Sequence, residues 1–502
     1  MKRFNLWMLA TILSCGLLAT SCSVEDKAVD PSELSNSIDK FWDLPGNEGD
    51  PEVVAALQSI ENVRNLKPFI NAYLGQCYYF NYWQLVDHND PSKGHFKQQV
   101  VLTFVGKDAP TILHTQGYSL TNEADPNNIQ NRLDSINAPH FLWALSKDYG
   151  KDKKFDLNCV QVEYRYNGFS LPEWDADSFK YLSAEQQSED LHAIVTDLKK
   201  ALITGDGKWM STGLSKNGDT TVQYAYFDEL NGWNDIDVYV PFGSPVTTQT
   251  DDLRIGNYMI NEAAKDALPL LEKVFKKLVD DGDVANATID AYADILYKEG
   301  DELDKDSAYL FTIDRAYGNL FKVMSYGDFD TWSKLIPREN DKPEYYAYFF
   351  MLDDDSDDIY PQTAKARGPL LKRRDPFDIQ ISIDQGNRGL DYTWILDGKL
   401  LSDSDKKYFK NEMEKSIKSK TLDLQVKILI NLETTEKKLI FVYGEDDPWT
   451  GAAIPDPTNP NVKKYIVPHG THTDEFPKYA RYPGGQEIVD KIMADVKAIL
   501  YP

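Results

Sequence analysis

Short apolar or alternating runs, bounded by Gly, Asp and Asn, recur through the first half of the chain. They fall at residues 99–105, 110–114, 158–163, 209–212 and 236–240, and each reads as a strand. Residues 184–203 change to a helical period, with Leu191, Ile194, Val195 and Leu198 on one face. Strand–helix alternation predicts a mostly parallel sheet covered by helices. The strand pattern resumes at 439–443 and 464–467, and residues 485–500 predict a last helix.

Residues 250–425 differ. From 258 to 278, Ile260, Ala263, Ala264, Ala267, Leu268, Leu271, Val274 and Leu278 recur at helical spacing, and 285–297 and 316–324 continue in that style. The expected organisation is an α/β domain formed by 51–249 and 426–502, interrupted by a mainly helical lid at 250–425. Tyr345, Tyr346, Tyr348, Phe349 and Phe350 are expected in the lid core. The run Asp353-Asp354-Asp355-Ser356-Asp357-Asp358 lacks the glycine and distal glutamate of an EF-hand loop and reads as a solvated charge run. No metal site and no cofactor are expected.

A length of 502 residues suits a large domain with an insertion, and 42% hydrophobic content supports a substantial core. A formal net charge of −26 repels phosphate backbones, so nucleic acid is not an expected partner. At the N-terminus, Lys2 and Arg3 precede an apolar stretch that ends in Leu18-Ala19-Thr20-Ser21-Cys22. This reads as a lipoprotein signal over 1–22, with the lipid on Cys22. Residues 23–50 read as a tether, whose acidic start resembles surface-export signals. The expected location is the cell envelope, at the outer membrane or cell surface or on the periplasmic face, with membrane contact only through the lipid. Cys77 and Cys159 are read either as one disulfide or as two buried thiols.

The candidate chemistry lies in three segments: Gly213-Leu214-Ser215-Lys216-Asn217-Gly218, then Tyr443 to Trp449, then Pro468-His469-Gly470-Thr471-His472. A serine on a tight turn, a carboxylate and a histidine in this order match an α/β-hydrolase. Ser215 lies between an expected strand and an expected helix at 219–227, the context that its motif requires. Its hydroxyl needs a base within hydrogen-bond reach. Asp447 precedes a proline at the end of a strand and is the expected acid. Of the seven histidines, only His469 and His472 follow that acid. His472, two residues after Gly470, is the expected base, and His469 a loop neighbour. The Lys216 amide is one expected oxyanion donor, with the amide of Gly117 or Tyr118 as the second.

Together these segments resemble a family: the secreted bacterial serine aminopeptidases of the tripeptidyl-aminopeptidase-like PS-10 group. Prolyl carboxypeptidases and dipeptidyl peptidases are more distantly similar. The resemblance is carried by residues 162–172, by Tyr181, Leu182, Gln186 and Asp190-Leu191-His192, and by 208–218, 240–245, 443–449 and 467–472. It implies Ser215, Asp447 and His472 as a triad, and cleavage near the N-terminus of short peptides, of tripeptidyl or dipeptidyl type. An esterase with the same triad and a peptide-binding lipoprotein without turnover are the alternatives. An exopeptidase must capture the substrate amine, and Glu163 is read either as that group or as an internal brace for Arg165. The family pattern after the nucleophile is Ser-Lys-Gly-Gly, whereas this chain has Ser215-Lys216-Asn217-Gly218. A side chain at this tightly packed position is expected to distort the turn.

Overall fold

Every residue of the strands Asn158–Val162 and Val238–Phe242 is buried, as in strands covered on both faces. In the computed structural model they belong to one nine-stranded sheet. The described residues are 47–71, 73–120, 140–146, 155–172, 178–263, 268–288, 333–350, 380–388, 420–474 and 476–502. In chain order the strands are β1 (Val63–Asn71), β2 (Gly75–Leu85), β3 (His95–Thr103), β4 (Thr111–Thr115), β5 (Asn158–Val162), β6 (Trp209–Leu214), β7 (Val238–Phe242), β8 (Leu439–Gly444) and β9 (Val462–Val467). Their spatial order is β1-β2-β3-β5-β4-β6-β7-β8-β9. The pairs from β1 to β5 through β2 and β3 are antiparallel, and the rest are parallel.

Helices cover both faces because side chains alternate along each strand. Leu113, Tyr239 and Phe441 join a core containing Leu57 of α1 (Pro51–Ser59), Leu191 and Val195 of α2 (Ala184–Ala201), Val222 of α3 (Lys216–Asn231) and Ile428 of α4 (Asp423–Leu432). Their strand neighbours Ile112, Val238, Val240, Ile440 and Val442 point the other way. They meet Ile492, Val496 and Leu500 of α5 (Gly485–Leu500). Each fully buried Val or Leu here contributes about 1.5–3 kcal/mol. The sheet order, the crossovers and the serine turn described below make this an α/β-hydrolase fold.

The expected strands are present, with ends shifted by a residue or more. Two strands of this sheet were not expected, β1 and β2, nor was a separate two-stranded sheet of Asp251–Asp252 with Asn387–Arg388. β1 and β2 form an antiparallel pair with a register break between Arg64 and Lys67, and β1 carries Pro68, which an edge strand tolerates. The helical spacing expected over 258–278 is seen in its described parts, and residues 264–267 lie outside the described residues. A short helix ends at Tyr258, a π-helical turn covers Met259–Ala263, and helix is again described over Leu268–Asp280.

Where the described part of 250–425 meets the sheet domain, Asp384 Oδ2 accepts the Ala184 N–H at 2.7 Å, at the start of α2. The Tyr258 hydroxyl donates to the Glu445 carbonyl at 2.9 Å. Tyr346 and Phe349 are buried as expected, whereas Tyr345 is exposed. Cys22, where a lipid is expected, the expected tether up to residue 46, the run 353–358 and the expected helix at 316–324 lie outside the described residues. No helix among the described residues is long and apolar enough to cross a membrane.

Cys77 and Cys159 are free and buried. Thr103 of β3 is paired with Cys77 on one side and with Cys159 on the other. The two cysteines therefore stand two strands apart, about 10 Å, beyond the Cα separation that a disulfide spans. Burial pushes the Cys77 thiol up to about 12.

Candidate active site

Strand β6 ends at Leu214 and α3 begins at Lys216, which leaves Ser215 alone to make the turn. Its backbone has φ 59° and ψ −128°, a conformation that a non-glycine residue holds only under constraint. The constraint is visible on both sides. The Ser215 N–H donates to the Phe242 carbonyl at 2.9 Å, and the Ser215 carbonyl accepts the Asp219 N–H at 2.9 Å. Glycine is required around it. A Cβ on Gly213 would lie 2.4 Å from the Asn217 carbonyl oxygen, and one on Gly218 would lie 2.9 Å from the Phe242 oxygen. Ser215 thus stands at the carboxyl end of a central strand and at a helix N-terminus, which favours developing negative charge.

The acid and the base arrive from β8 and β9. Asp447 begins a short helix, Pro448–Ala452, and its Oδ1 accepts the Trp449 N–H at 2.9 Å. Its Oδ2 faces His472 Nδ1 at 2.8 Å. Both side chains are buried. Asp474 steadies the histidine loop, with Oδ2 accepting from the Thr471 N–H at 2.9 Å and the Tyr482 hydroxyl at 2.8 Å. His469 is exposed, with Nδ1 3.5 Å from Asp446 Oδ2. Glu445, Asp446 and His469 bring donor atoms within 4.8 Å of one another at the surface.

The pair and the serine turn meet at the end of β7. Phe242 accepts the Ser215 amide. A Cβ on the next residue, Gly243, would lie 3.2 Å from His472 Nδ1 and 3.4 Å from Asp447 Oδ2. Asp219, in the first turn of α3, is close enough to His472 for the two charges to interact. Its carboxylate accepts from the Ser244 hydroxyl at 2.6 Å. Burial pushes it up to about 7, against the pull of Ser244, Lys216 and His472. Sequence reasoning did not single out Asp219, because an acidic residue in the first helical turn is unremarkable there.

The distortion expected from Asn217 is not found. Asn217 takes its place in α3, and its side chain reaches the loop after β4. Its Oδ1 accepts the Gly117 N–H at 2.5 Å, and its Nδ2 donates to Gln116 Oε1 at 3.2 Å. This corrects the expectation for Gly117, whose N–H is taken up by a side chain. The loop still lies against the elbow, since a Cβ on Gly117 would stand 2.9 Å from the Lys216 carbonyl carbon. The Lys216 side chain is buried, with its ammonium 4.6 Å from the Tyr118 ring centroid and 5.2 Å from that of Tyr164.

Glu163 meets neither expectation. It is fully buried. Its carboxylate accepts from the Leu120, Phe169 and Ser170 N–H groups, the Ser170 hydroxyl and Gln99 Nε2, at 2.6–3.0 Å. Four of these donors converge on Oε2 and the Leu120 N–H meets Oε1, and the fully buried side chain presents no accessible face to a substrate amine. Burial pushes the carboxyl up to about 7 against the pull of the donors. Arg165 is braced instead by Asp190, with Nε to Oδ2 at 2.9 Å and a terminal nitrogen to Oδ1 at 2.6 Å. Glu163 ties residue 120, on the loop after β4, to residues 169–170.

Comparison with known proteins finds a partial sequence relative and distant structural likenesses. No family model matches the chain. A prolyl tri/tetrapeptidyl aminopeptidase of Streptomyces mobaraensis is 31% identical over 157 residues. The match covers 30% of this chain and 26% of that protein, about a quarter of its length. Among solved structures, an acetylester hydrolase from Corynebacterium glutamicum aligns over 86% of this chain and 99% of its own, with 11% identity and a TM-score of 0.38. A proline iminopeptidase of Mycobacterium smegmatis aligns over 81% and 95%, with 11% identity and a TM-score of 0.33. The strand order and the serine turn, rather than these likenesses, carry the fold assignment.

Proposed function

We propose that the protein is a serine hydrolase of the peptidase type that releases short fragments from peptide N-termini. The observation that carries this reading is the buried Asp447–His472 pair, 2.8 Å apart, beside the Ser215 elbow. In the proposed reaction His472 donates Nδ1–H to Asp447, which leaves the lone pair of Nε2 to accept a proton. The Ser215 hydroxyl attacks the scissile carbonyl carbon as His472 takes its proton. The oxyanion is met by the Lys216 amide and, from the loop after β4, by the amide of Tyr118. The C–N bond then breaks, His472 returns the proton to the leaving amine, and water hydrolyses the acyl-serine by the same route. The partial similarity to a prolyl tri/tetrapeptidyl aminopeptidase supports amide over ester substrates. Membership of the PS-10 group and a tripeptidyl or dipeptidyl mode belong to the proposal. So does an envelope location through a lipid on Cys22, for which loss of fatty-acid labelling in Cys22→Ala is the check.

The test is reaction with a fluorophosphonate probe, followed by assay on tripeptidyl and dipeptidyl p-nitroanilides and on p-nitrophenyl esters. Labelling of the wild type, its loss in Ser215→Ala and turnover of the anilides are expected. Equal labelling of Ser215→Ala, or none of the wild type, would sink the hydrolase reading, and turnover of esters alone would make it an esterase. The binding-only alternative was motivated by Asn217. The elbow accommodates that residue, so the alternative has no observation of its own.

A further inference from the structure

Asn217 is where this chain departs from the family pattern that it resembles, and its side chain makes bonds that a glycine does not. Both ends of the carboxamide are engaged by the loop after β4, Oδ1 by the Gly117 N–H at 2.5 Å and Nδ2 by Gln116 Oε1 at 3.2 Å. Further bonds run between the same two elements. The Thr115 hydroxyl donates to the Asn217 carbonyl at 2.7 Å and lies 2.7 Å from the Thr221 hydroxyl. The Thr220 hydroxyl stands 3.3 Å from the Gln116 carbonyl. The Lys216 ammonium packs over Tyr118, the next residue of the loop.

This lacing has a particular geometry. Ser215 and Asn217 are two residues apart, so the anchor for the loop is built into the helix turn that carries the nucleophile. A shift of the elbow moves the loop with it. Loop amides near a nucleophile act on charge that develops on the substrate oxygen, and their effect falls steeply with misplacement. With a glycine at 217, the loop would be held by the threonines and the lysine alone, and the Gly117 N–H would lose its acceptor.

We infer that Asn217 is a positioning residue that clasps the loop 115–118 to the nucleophile turn and holds it at the distance that catalysis needs. The inference rests on the serine-hydrolase reading for its kinetic consequence and on geometry alone for the clasp. It makes the departure from Ser-Lys-Gly-Gly a functional substitution, and not a lesion.

The experiment compares the wild type with Asn217→Ala and Asn217→Gly by ester hydrolysis and by amide hydrogen exchange over residues 114–120. Steady-state hydrolysis of p-nitrophenyl acetate should show kcat reduced about 10- to 100-fold with KM within about threefold. A general loss of folding would not produce that split. The Gly117 amide should exchange about fivefold faster or more, with β6 protected as in the wild type. Unchanged kcat in an ester-active protein, or an unchanged Gly117 exchange rate, overturns the inference. A wild type that neither turns over the ester nor reacts with a fluorophosphonate sinks the hydrolase reading instead, and exchange at Gly117 then decides the clasp by itself.

Discussion

Three histidine–aspartate pairs occur among the described residues at nearly the same distance: His472–Asp447 at 2.8 Å, His88–Asp190 at 2.8 Å and His192–Asp235 at 2.7 Å. What separates them is what else touches the aspartate and where the histidine stands. Asp190 also receives the Arg165 fork and Gln98 Nε2 at 3.1 Å, and it is wholly buried on α2. Its neighbour Arg165 donates on to the carbonyls of Leu85, Val86 and Tyr181. Every capacity of that cluster is spent on joining β2, the segment after β5 and α2. Asp447 spends one oxygen on its own turn and one on His472, and His472 stands at the carboxyl ends of the strands beside the serine elbow. A histidine–aspartate contact is therefore not by itself a sign of catalysis.

The sharpest way to break the comparison is to remove members of each cluster. Ser215→Ala or His472→Ala should lower turnover by about 10⁴- to 10⁶-fold with the melting temperature nearly unchanged. Asp447→Asn should cost about 10⁴-fold, because the histidine then loses its tautomer and orientation. At the other cluster, Asp190→Asn should leave the buried Arg165 guanidinium without its counter-charge and cost about 3–5 kcal/mol of stability in urea unfolding. The fraction that remains folded should react with a fluorophosphonate at the wild-type rate. If Asp190→Asn slowed labelling of the folded protein a hundredfold while Asp447→Asn did not, the two roles would have to be exchanged.

How much of this was legible in the sequence depends on how local the cause is. The strands of the parallel half were readable because each is a run of apolar residues between turn formers, and the order of Ser215, Asp447 and His472 survives any error in strand ends. β1 and β2 were not readable. Polar residues and Pro68 interrupt them, and they are strands because they pair with each other and with β3. The expectation for Glu163 fails because a carboxylate two residues before Arg165 in the chain invites a pairing, whereas the partners of both lie elsewhere in the fold: Leu120, Phe169, Ser170 and Gln99 for Glu163, and Asp190 for Arg165. Asn217 was misjudged because its partners lie about a hundred residues earlier in the chain.

The next effect is a pH dependence. Asp219 lies behind the elbow, buried, with its carboxyl pushed up from 3.8 to about 7. A carboxyl raised on folding binds protons more tightly in the native state. Its cost is absent below the unfolded value and grows as pH rises through the folded one. Relative to Asp219→Asn, the wild type should lose roughly 2–4 kcal/mol between pH 4 and pH 8, with the decline ending above about pH 7. Urea unfolding of both proteins across that range is the check. Parallel curves would mean that Asp219 does not titrate in this window and that its side chain is held by Ser244 alone.

The smallest expected effect is at the third pair. The ring of His192 lies flat on Trp233, with centroids 4.2 Å apart and planes at 11°, and Nδ1 bonds to Asp235. Removing it strands nothing, because Asp235 Oδ2 still accepts from the Tyr224 hydroxyl at 2.7 Å. The loss is one hydrogen bond and one partly exposed stack. His192→Ala should therefore cost only about 1–2 kcal/mol of stability and leave the rate of fluorophosphonate labelling within about twofold. Comparing this variant with His472→Ala asks whether two histidines with the same partner type and the same distance differ only in their surroundings. A drop in labelling of tenfold or more for His192→Ala would tie the α2 face to the elbow and remove the distinction between the two clusters.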